Sequence, residues 1–253
     1  MTIKGLRGQV SIKSKEELSM HSDNEFQASH TSFDFSKYEK PYEITHSKII
    51  EELIPCGHEK LAVDIGCGPG YFCKLLSTKG WKAIAIDTDS KNLENARSYV
   101  VETHLGDAID VLSKLPDNQY GLALALEIIE HMPKTYGEAL LRNAIRVLKP
   151  GGKLIISTPN KFSPEGLGGY YWGEKIRGGG KWYAWDGTHV HIYSSKEILR
   201  LLKVCGFAVD RIIGYYYEGR LPVIGRWRLP FVKSTLFPLN RIGFNIILEC
   251  HRE

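Results

Sequence analysis

The chain has 253 residues, of which 43% are hydrophobic and 25% charged, a composition that supports a full core and excludes fibres and low-complexity chains. A net charge of +4 is small for a dedicated nucleic-acid binder, so a nucleic-acid partner is not expected. The five cysteines lack zinc-ribbon spacing, which favours reduced thiols over a disulfide framework. No stretch resembles a signal peptide or a bilayer span, so we expect a cytoplasmic protein.

The chain order of hydrophobic patterns predicts a polar leader followed by one domain. Residues 1–36 lack periodicity and are interpreted as a flexible leader or a lid, ahead of a domain at 37–253. A helix near Tyr42–Leu53 opens this domain. Strands and helices then alternate, with predicted strands at 60–65, 83–86, 103–105, 120–126, 153–157, 208–215 and 244–250, and predicted helices at 71–79, 90–98, 137–148 and 195–204. This alternation predicts an α/β fold with helices on both faces of a parallel sheet.

Two irregular segments interrupt the alternation, and we interpret both as substrate-cap insertions. Segment 160–188 combines glycines with seven aromatic residues, which favours an aromatic cap over a pocket or a loop packed on the core. Segment 216–243 interleaves basic and aromatic residues. That pattern is typical of peripheral contact with an anionic membrane or a phosphate-bearing lipid, and a dimer contact is the alternative.

A glycine-rich turn follows the first predicted strand. Asp64 precedes glycines at 66, 68 and 70, which permit a tight turn and close approach of a ligand to the backbone. The spacing is G-x-G-x-G, whereas dinucleotide-binding proteins have G-x-G-x-x-G. Asp64 would repel a pyrophosphate and would suit an ammonium or sulfonium group. The turn therefore argues against a nicotinamide-dependent reductase.

Two further acidic residues end the next strands. Asp87 closes the second strand, where doubly wound folds place an acid that accepts hydrogen bonds from ribose hydroxyls. Asp107 follows the third strand, where a carboxylate can accept from an adenine amino group. The three acids together describe a site for an adenosine with a cationic tail.

These motifs, with the later run V-L-K-P-G-G-K-L-I-I-S-T-P-N, resemble the class I S-adenosylmethionine-dependent methyltransferases. The resemblance implies a Rossmann-like, doubly wound, seven-stranded sheet in the order 3-2-1-4-5-7-6, with the last strand antiparallel. It also implies that S-adenosylmethionine is the cofactor and S-adenosylhomocysteine the product. The implied cofactor-binding residues are Asp64, Gly66, Cys67, Gly68, Asp87, Thr88, Asp107, Ala108 and Glu127.

A second group of residues follows the fourth strand, where doubly wound folds bind substrate. Glu127, Glu130 and His131 lie here, and His189 comes later in an Asp-Gly-Thr-His-Val-His run. This arrangement is similar to ubiquinone-pathway O-methyltransferases, and we assign His131 and His189 as catalytic residues that take or orient the acceptor's proton. It is also similar to RNA 3′-terminal 2′-O-methyltransferases, on which match these residues would bind magnesium. We assign no metal ligand and leave a divalent metal open.

The favoured function is O-methylation of a small-molecule or lipid-like hydroxyl acceptor. N-methylation and RNA 2′-O-methylation remain as alternatives, the latter disfavoured by the small net charge. A non-catalytic nucleotide-binding or regulatory protein is the alternative of another class, and the presence of Glu130, His131 and His189 argues against it. An oligomer is compatible with the sequence.

Overall fold

A computed structural model describes residues 41–58, 60–163, 188–216 and 233–253. The predicted leader at 1–36 and the greater part of both irregular segments, 164–187 and 217–232, lie outside the described residues. Their assignments as lid, aromatic cap and interface stay predictions. Among the described helices, none combines the length and apolar character needed to cross a membrane.

The described helices flank a single sheet. The α-helices are α1 (Pro41–Leu53), α2 (Tyr71–Thr78), α3 (Ser90–Ala96), α4 (Ala108–Lys114), α5 (Lys134–Val147) and α6 (Ser195–Val204). The strands are β1 (Leu61–Ile65), β2 (Lys82–Asp87), β3 (Glu102–Leu105), β4 (Tyr120–Leu126), β5 (Leu148–Pro159), β6 (Phe207–Tyr215), β7 (Lys233–Ser234) and β8 (Asn245–Arg252).

The sheet has the order β3-β2-β1-β4-β5-β8-β6-β7. Strands β1 to β5 pair in parallel, whereas β8 is antiparallel to both β5 and β6. This confirms the predicted doubly wound order and the antiparallel last strand. The structure has one strand more than the seven predicted, because the two-residue β7 pairs with the outer edge of β6.

The core lies on both sides of the central strands. Every residue of β4 except Gly121 is buried, as are Ala62 to Ile65 of β1. Strands covered on both faces carry continuous apolar runs rather than alternating patterns. Helix α1 covers one face through Ile49, Ile50 and Leu53. This burial holds the carboxyl ends of the parallel strands at one edge, where the candidate site lies.

Local differences from the predicted elements have identifiable causes. Helix α4 is absent from the predicted elements, because it is short and its formation is supported by the Asp107 side chain that caps it. Strand β5 runs from Leu148 to Pro159 and is longer than the predicted strand at 153–157, and its register with β4 shifts between Tyr120 and Leu122. Such a shift accommodates an irregular stretch within a paired strand.

Candidate active site

The glycine turn after β1 forms the floor of the site. Gly66 has a φ of +71°, and a side chain there would place its Cβ 2.6 Å from Ile128 Cδ1, so the turn packs directly against the residues that follow β4. Gly70, with a φ of +87°, is the N-cap of α2, and a side chain there would place its Cβ 2.8 Å from Ala96 Cα. Both positions require glycine for conformation and space. The turn therefore packs closely between the residues that follow β4 and helix α3.

Asp87 is the centre of a hydrogen-bond network at the end of β2. Its Oδ2 accepts from the Gly68 backbone N–H at 2.8 Å, while Oδ1 accepts from the Asp89 N–H at 2.8 Å and from Asn92 Nδ2 at 3.2 Å. The Cys67 thiol lies 4.0 Å from Oδ2. A carboxylate has about four acceptor positions, so Asp87 anchors the glycine turn and keeps one strong acceptor position for a ligand.

Asp64 is a buried carboxyl group below the glycine turn. Only 2% of its surface is exposed, and Oδ2 lies 3.3 Å from the Cys73 thiol. Burial raises the pKa of Asp64 to about 7, a hydrogen bond from Cys73 opposes the rise, and the nearby Asp87 charge adds to it. An acid in this position favours a cationic ligand group, which would stabilise its ionised form.

Asp107 has a structural role that the sequence analysis did not assign. Its Oδ1 accepts from the backbone N–H groups of Ile109 and Asp110, at 2.8 and 3.2 Å, and so caps α4. Its Oδ2 forms none of these hydrogen bonds and is the atom suited to an adenine amino group. Ala108 is buried in the first turn of α4, while Thr88 is exposed beyond β2.

Glu127 is strained and lies beside a histidine that the sequence analysis missed. Its φ of +51° is unusual for a non-glycine residue and its N–H donates to the Ser157 carbonyl at 3.1 Å. Its Oε1 lies 3.8 Å from Nε2 of His46, which is 5% exposed on α1. Burial lowers the pKa of His46, and the Glu127 charge opposes this. The sequence could have placed His46 on the buried face of this helix, because it shares helical spacing with Ile49, Ile50 and Leu53.

His131, which follows β4, forms a ring pair with His189. The rings of His131 and His189 meet edge to face, with centroids 4.8 Å apart. His131 Nδ1 lies 3.0 Å from Thr188 Oγ1 and 3.3 Å from the Thr188 carbonyl oxygen. A carbonyl can only accept, which favours the proton on Nδ1 and leaves Nε2 as the basic atom. The structure thus brings together the two residues predicted to be catalytic.

Three of the four residues considered for a metal site form one cluster. Ligand atoms of Glu130, His131 and His189 all lie within 4.8 Å of one another, and Glu127 is not part of this group. Glu130 is fully buried and its Oε2 accepts from Thr158 Oγ1 at 3.1 Å. The carboxylate is a typical donor for Mg²⁺ or Mn²⁺, whereas the two imidazoles are less typical donors for these ions. The cluster is therefore a candidate three-ligand site rather than the four-ligand site of the resemblance.

The methyltransferase-domain family matches residues 40–212, which include every side chain described above. The chain belongs to this family. The assignment agrees with the G-x-G-x-G turn and places the chain among methyltransferases rather than nicotinamide-dependent reductases.

The relatives of this methyltransferase domain include ubiquinone biosynthesis O-methyltransferase from Rickettsia bellii, which is 29% identical over 165 residues. That alignment covers 62% of this chain and 65% of the relative, so the chain spans slightly less than two thirds of that protein's length.

Solved structures share the fold of this methyltransferase domain. A SAM-dependent methyltransferase from Archaeoglobus fulgidus superposes with a TM-score of 0.64 at 19% identity, covering 86% of this chain and 97% of that one. A SAM-dependent methyltransferase from Thermotoga maritima, described as a possible histamine N-methyltransferase, gives a TM-score of 0.59 at 19% identity, covering 94% of this chain and 98% of that one. These likenesses establish the class of fold.

Proposed function

We propose that this chain is an S-adenosylmethionine-dependent O-methyltransferase whose acceptor is a hydroxyl group on a small, lipid-like molecule. The observation that carries the proposal is the placement of three acids, Asp64, Asp87 and Asp107, at the carboxyl ends of the neighbouring strands β1, β2 and β3. The His131–His189 pair begins at the carboxyl end of the adjacent strand β4. Family membership supports methyl transfer. The relatives named ubiquinone biosynthesis O-methyltransferase support oxygen as the methylated atom.

The acids are suited to the separate parts of the cofactor. Asp64, buried and close to Asp87, gains a counter-charge from an ammonium or sulfonium group. The remaining acceptor position of Asp87 Oδ2 suits one ribose hydroxyl, and a second hydroxyl can bond to Oδ1 if it replaces Asn92 at 3.2 Å. Oδ2 of Asp107 suits the adenine amino group. A dinucleotide would instead place a pyrophosphate against these negative charges.

The histidine pair supplies the proton-handling group that methylation of a hydroxyl requires. When bound, S-adenosylmethionine supplies an electrophilic methyl group. His131 Nε2, basic because Nδ1 donates to Thr188, takes the proton that the hydroxyl loses. His189, in edge-to-face contact with His131, orients the acceptor on the same side. Positioning of the acceptor oxygen contributes the rest of the rate.

The described part of segment 216–243 supports peripheral membrane contact as a further element of this proposal. Leu236 and Phe237 are 70% and 80% exposed, and paired exposed apolar side chains near basic residues are typical of surfaces that contact lipid. We expect Leu236→Ser with Phe237→Ser to reduce co-sedimentation with anionic vesicles. Equal pelleting of the variant and the wild type would remove this element and leave the enzymatic proposal intact. A cytoplasmic location and oligomerisation stay predictions.

Cofactor binding and transfer are tested separately. Calorimetry should show binding of S-adenosylhomocysteine and none of NAD. Tritium from methyl-labelled S-adenosylmethionine should then be transferred to ortho-diphenols carrying an alkyl chain, and not to histamine or to an RNA oligonucleotide. The histamine arm tests N-methylation, because the Thermotoga maritima structure with the same fold is described as a possible histamine N-methyltransferase.

The role of His131 is tested with a matched histidine. His131→Ala should retain cofactor affinity and lose most of its turnover, by about 10²–10⁴-fold, the usual contribution of general base catalysis. His251→Ala is the control. His251 of β8 pairs with Lys153 near the amino end of β5, so it lies away from the carboxyl ends of the strands where His131 is found. Equal turnover of His131→Ala and His251→Ala would show that His131 takes no proton. Binding of NAD would overturn the whole proposal.

A further inference from the structure

We propose that a groove between α6 and β6 is a second binding site, for an acidic amphiphile that carries a phosphate or carboxylate group on an apolar chain or ring. The groove is open to solvent and has a volume of about 480 Å³, which is within the ordinary range for small-molecule sites. Its floor is apolar, from Leu199, Phe207 and Val209. The proposed enzymatic function does not use it.

Three cations and one carboxylate line this groove. Lys196 and Lys203 come from α6, Arg241 comes from the segment that precedes β8, and Glu253 carries the opposing charge. Lys196 and Lys203 are both exposed and are seven residues apart, which places them on one side of the helix. Among the ion pairs formed within the described residues, none involves these three cations. The groove therefore has an excess of positive charge, because its three cations outnumber the one carboxylate, Glu253.

Arg241 lines the groove and carries a buried donor atom. Its Nε is buried and has no hydrogen-bond partner within the described part of the chain. The backbone around it is held in place, because Arg241 N–H donates to the Pro238 carbonyl at 2.9 Å and its own carbonyl accepts from Asn160 Nδ2 at 2.9 Å. An unpaired buried donor is unfavourable. A phosphate or carboxylate oxygen is the acceptor that best satisfies a guanidinium group.

The groove begins at the sheet edge opposite the candidate active site and extends along β6 to Arg241, which lies near the carboxyl end of β5 beside Asn160. Strand β6 runs parallel to β5, since both are antiparallel to β8, so Phe207 to Val209 lie at its amino end. The acids of the candidate active site follow the carboxyl ends of the parallel strands. A ligand lying over Phe207 to Val209 would thus contact residues distinct from the proposed cofactor site.

The combination of charge and apolar floor selects the ligand class. Inorganic phosphate would satisfy the cations and leave Leu199 and Phe207 exposed to water, whereas a neutral lipid would leave the cations unpaired. A molecule with both an acidic group and an apolar part satisfies both sides of the groove. This chemistry is shared by free alkyl phosphates and by the headgroup region of anionic lipids.

Octyl phosphate, inorganic phosphate and vesicles of phosphatidylcholine with phosphatidylglycerol are the three probes. Titration calorimetry of the full chain should give saturable binding of octyl phosphate and weaker binding of inorganic phosphate. Lys196→Gln combined with Arg241→Gln should weaken octyl phosphate binding by about tenfold or more. Arg200→Gln is the matched control, because Arg200 is exposed on α6 and does not line the groove, and it should bind as the wild type does.

The outcomes distinguish a lipid ligand from a free amphiphile, and they show which results would overturn the proposal. If the wild type co-sediments with the vesicles and the double variant does not, the ligand is a lipid headgroup. If the wild type binds octyl phosphate but does not co-sediment with the vesicles, the ligand is a free amphiphile. Absence of binding by every probe, equal affinity for octyl and inorganic phosphate, or unchanged binding by the double variant would overturn the proposal. Titration of each variant with S-adenosylhomocysteine measures the cofactor site alone. Failure of the proposed enzymatic function is therefore distinguishable from failure of the groove proposal.

Discussion

Replacement of Asp64 by Asn should change how the stability of the protein depends on pH. Asp64 is 2% exposed, and burial raises its pKa from 3.8 to about 7. Between these values the native protein holds a proton that the unfolded chain has lost. Stability must therefore fall as pH rises through this interval, and the loss is complete above about pH 7.

The magnitude follows from the size of the pKa change. One pKa unit corresponds to about 1.4 kcal/mol, so ionisation of Asp64 lowers the free energy of unfolding by about 4 kcal/mol between pH 3.8 and pH 7. Asn has nearly the same shape and does not titrate. The free energy of unfolding of the wild type minus that of Asp64→Asn should thus decrease by this amount as pH rises.

Urea unfolding of both proteins at a series of pH values measures this difference. Asp110→Asn is the control, because Asp110 is an exposed carboxylate near the same edge of the sheet, and its difference from the wild type should stay nearly constant. S-adenosylmethionine binding by the wild type should release about one proton per molecule below pH 7, and Asp64→Asn should bind more weakly with less release. A difference between wild type and Asp64→Asn that does not change with pH would refute the reasoning.

Three further outcomes are expected. Gly137→Ala should destabilise the protein by about 1–3 kcal/mol, because the added Cβ would lie 2.5 Å from the Tyr193 hydroxyl. Urea unfolding should show that the same substitution costs much less in the Tyr193→Phe background. An equal cost in both backgrounds would contradict the contact. Asp107→Ala should cost about 1 kcal/mol through loss of the α4 cap, whereas Asp107→Asn should cost less, and identical thermal shifts would argue against capping. Methyl transfer should persist in excess chelator, because the proposed proton transfer to His131 Nε2 requires no metal ion. Activity that chelator abolishes and Mg²⁺ restores would instead make the cluster of Glu130, His131 and His189 a metal site.

The candidate cofactor site is largely predictable from the sequence. Glycines at alternate positions after an apolar strand require a tight turn, and parallel strands bring their carboxyl ends to one edge. The strand pattern alone therefore places Asp64, Asp87 and Asp107 together. The roles of Gly66 and Gly70 follow from the same rule, because only glycine adopts their positive φ values without strain.

Elements whose formation depends on distant partners are not predictable in this way. Strand β7 has two residues and exists through pairing with Gly214 and Tyr215 of β6. Helix α4 has seven residues and is stabilised by its Asp107 cap. Short segments carry little periodic signal, so tertiary contacts decide their conformation.

The sequence by itself determined the order of strands and helices, the glycine turn and the acids that surround it, because local backbone requirements and apolar runs are written along the chain. Only the tertiary structure decided that Asp64 is buried enough to hold a proton near neutral pH, that His46 contacts Glu127, and that Arg241 joins two lysines of α6 around one groove. Burial and charge pairing depend on distances between residues far apart in sequence, and these distances exist only after the elements have packed.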